Sequence, residues 1–210
     1  MSMLDMSLRE FTSELSSRAA VPGGGGASAL CAALAASLGG MVCALTSGKA
    51  KFAGVQPRLD ELAVRAEKLR DELLSLVDGD AEAFEPLSRA YSLPKDAPGR
   101  DELMEECLLR AAEAPMAILE KSCEVIALHE ELSGCCSRLA VSDAGTGAVL
   151  ARGAMYGAAM NVLVNTRLMK DRKRAQEMNS RVNELMGEYR KRAEAAYESI
   201  FKELSRSDPA

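Results

Sequence analysis

The segment Val-Pro-Gly-Gly-Gly-Gly-Ala-Ser-Ala-Leu-Cys-Ala-Ala-Leu-Ala-Ala-Ser-Leu-Gly-Gly-Met-Val-Cys-Ala-Leu-Thr-Ser-Gly-Lys-Ala-Lys, residues 21–51, decides the fold of this chain. No charged residue lies between Arg18 and Lys49. Because a helix that is apolar on every side is a buried one, the segment predicts a glycine loop followed by the central helix of a bundle or of a dimer seam. On such a helix the large and the small residues form two separate stripes: Leu30, Leu34, Leu38, Met41 and Leu45, and Ala29, Ala33, Ala36, Gly40 and Ala44.

The glycine loop that precedes this helix allows two interpretations. Glycines expose backbone N–H groups and a helix N-terminus attracts negative charge, so the loop can cradle an anionic ligand. The simpler interpretation is a tight turn before a core helix, since the loop has neither a GxGxxG nor a P-loop lysine pattern. No membrane span is predicted, because the uncharged run is mainly Ala, Gly and Ser and no aromatic residue marks its ends.

The composition of the chain excludes several classes of protein. Its 210 residues suit a single domain over residues 1–210. A net charge of -5 and the absence of Trp argue against nucleic acid as a partner. No basic segment followed by an apolar region opens the chain, so no signal peptide is predicted. Six cysteines without CxxC or zinc spacing predict a protein of the reducing cytoplasm without a metal site.

Helical periodicity accounts for the rest of the chain. A proline-containing loop at residues 93–99 divides it, and no strand pattern of weight is present. The fifth helix is expected to begin at a cap formed by Ser142 or Asp143. We predict an all-α bundle of long antiparallel helices, the others of which cover residues 7–17, 57–91, 101–132 with a kink at Pro115, and 171–204.

Two helices of this chain are too apolar for one small bundle to cover. The second of them carries Val149, Met160 and Val164 among many Ala and Gly residues. Burial of part of this surface between two subunits explains the excess, since stripes of small residues suit close helix–helix contact. The sequence therefore predicts a homodimer.

An aspartate interrupts the apolar stripe of the third helix. Asp80 shares a face with Val77, Phe84 and Leu87, whereas Asp78 lies off that face and is expected to be solvated. Desolvation raises the pKa of such a carboxylate unless a cation or hydrogen-bond donors compensate, which is the environment of a general acid or base. The alternative is a structural aspartate paired with a neighbouring Lys or Arg.

Two asparagines occupy a similar position on the fifth helix. Asn161 and Asn165 lie one turn apart on one face, where an amide without partners is costly to bury. Paired amides can hydrogen-bond the donor–acceptor edge of a heterocycle, or they can join two helices. The lone histidine, His129, has no matching ligand set and is not predicted to be catalytic.

Several motifs come in one order along the chain: the loop at 21–30, Met-Val-Cys-Ala-Leu-Thr-Ser-Gly-Lys at 41–49, Asp-Gly-Asp-Ala-Glu-Ala-Phe at 78–84, Leu-Pro-Lys at 93–95, Ala-Pro at 114–115, Ser-Asp-Ala-Gly at 142–145 and Asn-Val-Leu-Val-Asn at 161–165. Together they resemble the formimidoyltetrahydrofolate cyclodeaminase / methenyltetrahydrofolate cyclohydrolase family. The resemblance covers about residues 8–171 and implies an all-α homodimer with its site near the subunit interface and a folate substrate, without metal or cofactor.

The resemblance also implies which residues form the site. The family's carboxylate falls on Asp80, the residue that the helical stripe had already selected, and its lysine falls on Lys49. Asp80 is the expected general acid and base, and Lys49 would lower its pKa or bind the glutamate tail of the folate. The substrate-binding positions implied by the family motifs are Pro22, Gly23, Gly24, Gly25, Ser142, Asp143, Asn161 and Asn165.

Two reactions fit this family, and one function of another class remains. The resemblance implies conversion of 5-formimidoyltetrahydrofolate to 5,10-methenyltetrahydrofolate with release of ammonia. The alternative within the family is hydrolysis of the methenyl compound to 10-formyltetrahydrofolate. A non-catalytic helical scaffold dimer is the other class, but a scaffold gains little from the desolvated polar groups at Asp80 and the two asparagines.

Overall fold

The computed structural model of the protein describes residues 2–206. Over that range the chain forms six α-helices and no β-strand, so the predicted all-α class is confirmed. Residue 1 and residues 207–210 of the predicted domain lie outside the described range. The helices are α1 Leu8–Leu15, α2 Gly24–Thr46, α3 Gln56–Tyr91, α4 Arg100–Ser133, α5 Val141–Thr166 and α6 Arg172–Leu204.

Short-range chemistry sets most of the helix ends. Ser7 and Glu10 form a reciprocal capping box at the start of α1. Asp171 accepts a hydrogen bond from the backbone of Arg174 at the start of α6. Gly99 precedes α4 with a φ of +74°, a conformation that favours glycine, and Gly134 follows its last residue, as predicted.

The start of α5 differs from the expectation. Ala140 occupies the N-cap position and makes no side-chain cap, so the predicted cap at Ser142 or Asp143 is wrong. Both residues lie within the first turn of the helix instead. The hydrogen bond that holds this end comes from the preceding loop, where the Ser137 N–H donates to Thr46 Oγ1 over 3.0 Å.

Helices α2 and α5 lie antiparallel at the centre of the bundle. The Ser137–Thr46 bond joins the end of α2 to the start of α5, and the start of α2 at Gly24 lies against Asn161 near the end of α5. Glycines bring the two helices together, because a Cβ on Gly157 would overlap the hydroxyl of Ser28. The small residues of both helices are thus explained by close packing within one chain.

The stripe of large residues on α2 faces away from this core. Leu34, Met41 and Leu45 are exposed, whereas Ala29, Ala33 and Ala36 are buried. The single chain therefore covers only one side of α2, and of the two predicted alternatives the dimer seam is the one that would cover the exposed stripe. On α1 and just before it, Phe11 is buried, whereas Leu4, Leu8 and Leu15 are exposed.

Both central helices are long and apolar enough to cross a membrane by length and composition alone. About half of the most apolar window of each is buried inside the bundle, 50% for α2 and 44% for α5. Helix α4 packs against both of them, α3 packs against α2, and α6 packs against α5. Such burial is typical of core helices of a helical domain.

Candidate active site

The first turn of α2 holds the carboxylate of Asp80. Asp80 lies on α3 and is half-buried, and its Oδ2 accepts a hydrogen bond of 2.9 Å from the Gly26 N–H. N–H groups in a first helical turn have no acceptor along the helix, so the carboxylate satisfies one of them. A Cβ on Gly25 would overlap this carboxylate. Glycine at this position therefore lets α3 bring Asp80 against the helix terminus.

Burial raises the pKa of the Asp80 carboxyl above its ordinary value of 3.8. The hydrogen bond from Gly26 acts in the opposite direction and has the smaller effect. No lysine or arginine among residues 2–206 contributes to the shift. The interpretation as an aspartate paired with a neighbouring cation thus finds no support within the chain, and the environment suits proton transfer.

The two asparagines lie beside this carboxylate. Asn165 is buried, and its Nδ2 donates to the carbonyl oxygens of Ala111 on α4, over 2.7 Å, and of Asn161, over 2.9 Å. Asn161 is half-buried, and its Nδ2 donates to the carbonyl of Gly157 over 2.8 Å. Asn165 therefore joins α5 to α4 through its nitrogen atom, as one interpretation held, whereas the bond of the Asn161 side chain stays within α5.

A pocket of about 230 Å³ lies between these groups. The glycine loop forms one wall, α3 supplies Asp80 and Phe84, and α5 supplies Asn161 and Asn165. The volume suits part of a bicyclic ring system or a one-carbon group with its neighbours, and the pocket opens to solvent. The lining residues are Ala20, Val21, Gly23, Gly24, Gly25, Asp80, Phe84, Ala111, Asn161, Val164 and Asn165.

The structure brings together only some of the residues predicted for the site. Gly23, Gly24, Gly25, Asp80, Asn161 and Asn165 line one pocket, and Pro22 is buried in the loop beside it. Lys49, Ser142 and Asp143 lie at the opposite end of the α2–α5 pair, because Lys49 follows α2 and the other two open α5. The rise of a helix places these ends about 30 Å apart. Lys49 therefore does not lower the pKa of Asp80 in the same chain.

Three features of this region were not predicted. Phe84 lines the pocket. The sequence could have indicated it, because Phe84 follows Asp80 by one helical turn on the same face of α3. Val164 and Ala111 also line the pocket, and no sequence pattern distinguishes them from core residues. Asp78 is not solvated as expected, because it accepts hydrogen bonds from the Ser2 hydroxyl and, over 2.7 Å, from the Met3 N–H.

The geometry defines a class of protein. A carboxyl with a raised pKa, free helix N-terminal donors and polar amides around a small pocket can move protons on a bound organic molecule. Together with the all-helical fold of residues 2–206, these features are typical of an enzyme.

The family follows from comparison with known proteins. A family model described as formiminotransferase-cyclodeaminase matches residues 7–184. A methenyltetrahydrofolate cyclohydrolase of Methylorubrum extorquens is 34% identical over 94% of this chain and 97% of its own length. The chain belongs to the formiminotransferase-cyclodeaminase family. The scaffold alternative is not supported, because the relatives are named as enzymes.

Two further comparisons extend this result. The mouse formimidoyltransferase-cyclodeaminase is 33% identical over 91% of this chain, which spans only 36% of that longer protein. The crystal structure of formiminotetrahydrofolate cyclodeaminase from Thermotoga maritima superposes with a TM-score of 0.81, at 26% identity, over 95% of this chain and 96% of that one. The fold of that protein is therefore shared over nearly its whole length.

Proposed function

We propose that this protein converts 5-formimidoyltetrahydrofolate to 5,10-methenyltetrahydrofolate with release of ammonia. The observation that carries the proposal is the pocket in which Asp80, with a raised pKa, meets the first turn of α2. The names of the Thermotoga maritima and mouse relatives support the cyclodeaminase reaction.

The reaction needs one proton to move from one nitrogen to another. N10 of the folate attacks the carbon of the formimidoyl group, whose nitrogen is protonated; this forms a C–N bond and leaves N10 with an extra proton. The Asp80 carboxylate removes that proton and returns it to the formimidoyl nitrogen. The bond from the former formimidoyl carbon to that nitrogen then breaks, ammonia leaves, and the methenyl cation remains. A carboxyl whose pKa is raised by burial is suited to both transfers.

A cyclohydrolase is the second candidate. The Methylorubrum extorquens relative, which this chain matches over 97% of its length, carries that name. In that reaction Asp80 would take a proton from water as the oxygen attacks the methenyl carbon, and that proton would then pass to N5 as the bond from N5 to that carbon breaks. The second proton of the water leaves to solvent as the formyl C=O forms. The product is 10-formyltetrahydrofolate.

The test offers the purified protein each folate separately and follows both ammonia and the methenyl chromophore. Ammonia release with a rising chromophore from the formimidoyl compound is the expected result. Loss of the chromophore from the methenyl compound, without any ammonia-releasing activity, would replace the first proposal by the second. Absence of both activities and of folate binding would contradict both proposals.

We also propose that the enzyme is a homodimer of the cytoplasm that uses no metal or cofactor. Proton transfers alone complete the proposed reaction, so no redox or Lewis-acid group is needed. Support for the dimer comes from the apolar residues that α2, α5 and the turn after α5 leave exposed: Leu34, Met41, Leu45, Val149, Met160, Val164 and Leu168.

A dimer in which two copies of α2 lie antiparallel would complete the site. The Lys49 end of one copy would then meet the glycine loop of the other, about one helix length away. Lys49, Ser142 and Asp143 would act on the folate held by the second copy. Lys49 is exposed in the single chain and thus available to the folate glutamate tail.

A further inference from the structure

The orientation of the Asn165 amide is fixed by its partners. Its nitrogen lies 2.7 Å from the Ala111 carbonyl oxygen and 2.9 Å from that of Asn161. Carbonyl oxygens only accept hydrogen bonds, so the amide must turn its NH₂ group towards them. Both N–H bonds of Asn165 are therefore used within the protein, and its Oδ1 is left over.

The Asn161 amide is oriented in the same way. Its Nδ2 donates to the Gly157 carbonyl over 2.8 Å. No donor within residues 2–206 reaches Oδ1 of either asparagine. Asn165 is only 8% exposed and lines the pocket, so its oxygen is an acceptor that a donor in the pocket can reach. An acceptor in that position is costly unless a ligand or water satisfies it.

Asp80 adds a third acceptor to this group. Gly26 occupies Oδ2, and no donor in the described part of the chain occupies Oδ1. Three side-chain oxygen atoms of the pocket thus receive no donor from residues 2–206, and the second N–H of Asn161 is the amide donor that these bonds leave over. Asn165 has no N–H left for a ligand, so in the pocket it can only accept hydrogen bonds.

We infer that Asn161 and Asn165 select the substrate by accepting hydrogen bonds from the N–H groups of its reacting one-carbon unit. The inference rests on the proposed function. In 5-formimidoyltetrahydrofolate the one-carbon unit ends in a nitrogen that carries protons, whereas a formyl group of the same shape ends in an oxygen. The three oxygens would hold the departing nitrogen close to Asp80 and would repel a formyl oxygen.

The test uses two matched ligands that cannot react. The 10-deaza analogues of 5-formimidoyl- and 5-formyltetrahydrofolate lack the attacking nitrogen and differ only in the terminal atom. Titration calorimetry at mildly alkaline pH, where more of the Asp80 carboxyl is ionised, gives both affinities. We expect the formimidoyl analogue to bind about 100-fold more tightly, because a buried acceptor discriminates strongly against a ligand that lacks the donor.

Variants of the two asparagines distinguish a role in substrate selection from a purely structural role. Asn165→Ala and Asn161→Ala should reduce the ratio of the two affinities towards unity, whereas Thr166→Val, which removes a buried hydrogen bond to Asn179 outside the pocket, should leave the ratio unchanged. If an asparagine had only a structural role, its replacement would lower the affinity for both analogues equally. Should Asn165→Ala fail to fold, the wild-type ratio and Asn161→Ala decide the matter.

The outcomes distinguish this inference from the proposed function. Equal wild-type affinities for the two analogues would overturn the selection by the asparagines and leave a folate site intact. Failure of both analogues to bind would overturn the proposed function itself.

Discussion

Asp80 is the residue on which the proposed chemistry depends. Asp80→Asn keeps the shape of the side chain and an oxygen for the Gly26 N–H, so the fold should persist. Turnover of the preferred folate should fall by about 100- to 10,000-fold, the usual contribution of a general acid or base. Steady-state kinetics on that folate check this. Glu82→Gln removes an exposed carboxylate two residues further along α3 and should leave turnover unchanged.

The stability of the same variant gives an independent check on the environment of Asp80. Because its pKa is raised in the folded protein, the wild-type chain favours the protonated carboxyl when folded. The resulting stability is present below the unfolded pKa and is lost as pH rises through the raised pKa. Asp80→Asn, measured by urea unfolding, should therefore gain stability relative to wild type as the pH rises. Parallel pH profiles would contradict the burial of this carboxyl.

Gly25 tests how closely the glycine loop must approach Asp80. A Cβ at Gly25 would overlap the carboxylate, whereas one at Gly23 meets no atom within 4 Å. In Gly25→Ala the Asp80 side chain must rotate away and lose its bond to Gly26, at a cost of about 1–3 kcal/mol. We expect loss of most activity with moderate loss of thermal stability. Gly23→Ala is the control for stability, and a Gly25→Ala enzyme with wild-type turnover would contradict this geometry.

Among the elements, α2 and α5 show what the sequence could predict. The uncharged run predicted α2 as a core helix, and the polar residues on apolar stripes indicated Asp80 and the asparagines. Two things could not be predicted. The direction of the amides depends on Ala111, a residue of α4 that no pattern marks. Exposure of Leu34, Met41 and Leu45 depends on which face the neighbouring helices cover.

The separation of Lys49 from Asp80 could have been predicted, since the length of α2 determines it. A helix of 23 residues spans about 35 Å, so its two ends cannot serve one small pocket in one chain. The family motifs identify residues that share a function, but they do not say which of them belong to the same copy.

The packing of α4 against the central helices predicts a pH effect on stability. His129 is the only histidine, is fully buried, and its Nε2 lies 2.8 Å from the Ala35 carbonyl. A Cβ on Gly147 would overlap its ring, so α5 leaves little room for water there. Burial lowers the pKa of His129 below its ordinary value of 6.5. Protonation of His129 therefore opposes folding.

The sign of the effect follows from this direction. Below the ordinary histidine pKa the unfolded chain binds a proton that the folded chain does not, so the free energy of unfolding falls as pH is lowered. One proton gives a slope of up to about 1.4 kcal/mol per pH unit. Urea unfolding between about pH 5 and pH 7 should show a steeper decline for wild type than for His129→Gln. Equal slopes would mean that His129 is protonated in the folded protein.

At the scale of the whole molecule, the exposed apolar faces of α2 and α5 predict self-association. Met41→Glu places a charge in the centre of the exposed stripe of α2 and should convert the proposed dimer to a monomer. Light scattering on a sizing column measures this. Val64→Glu, at an isolated exposed valine on α3, is the matched control and should not change the mass. A wild-type chain that is already monomeric would contradict the proposal.

If Lys49 of one copy acts in the pocket of the other, each active site needs residues from both copies. This arrangement predicts that two inactive variants can restore activity when they form a mixed dimer. Asp80→Asn and Lys49→Ala would each disable both sites of their own dimers, by removing the proton carrier or the partner's cation. If equal amounts are unfolded together and refolded, half of the dimers contain one chain of each kind. One of their two pockets then combines Asp80 from one chain with Lys49 from the other. The mixture should recover about a quarter of wild-type turnover, since a quarter of all pockets are intact.

A control mixes the two variants without refolding them, and this mixture should recover little turnover until subunits exchange. No recovery from a mixture that is shown to contain mixed dimers would mean that Lys49 acts within its own chain or not at all, and the antiparallel arrangement of α2 would then be wrong.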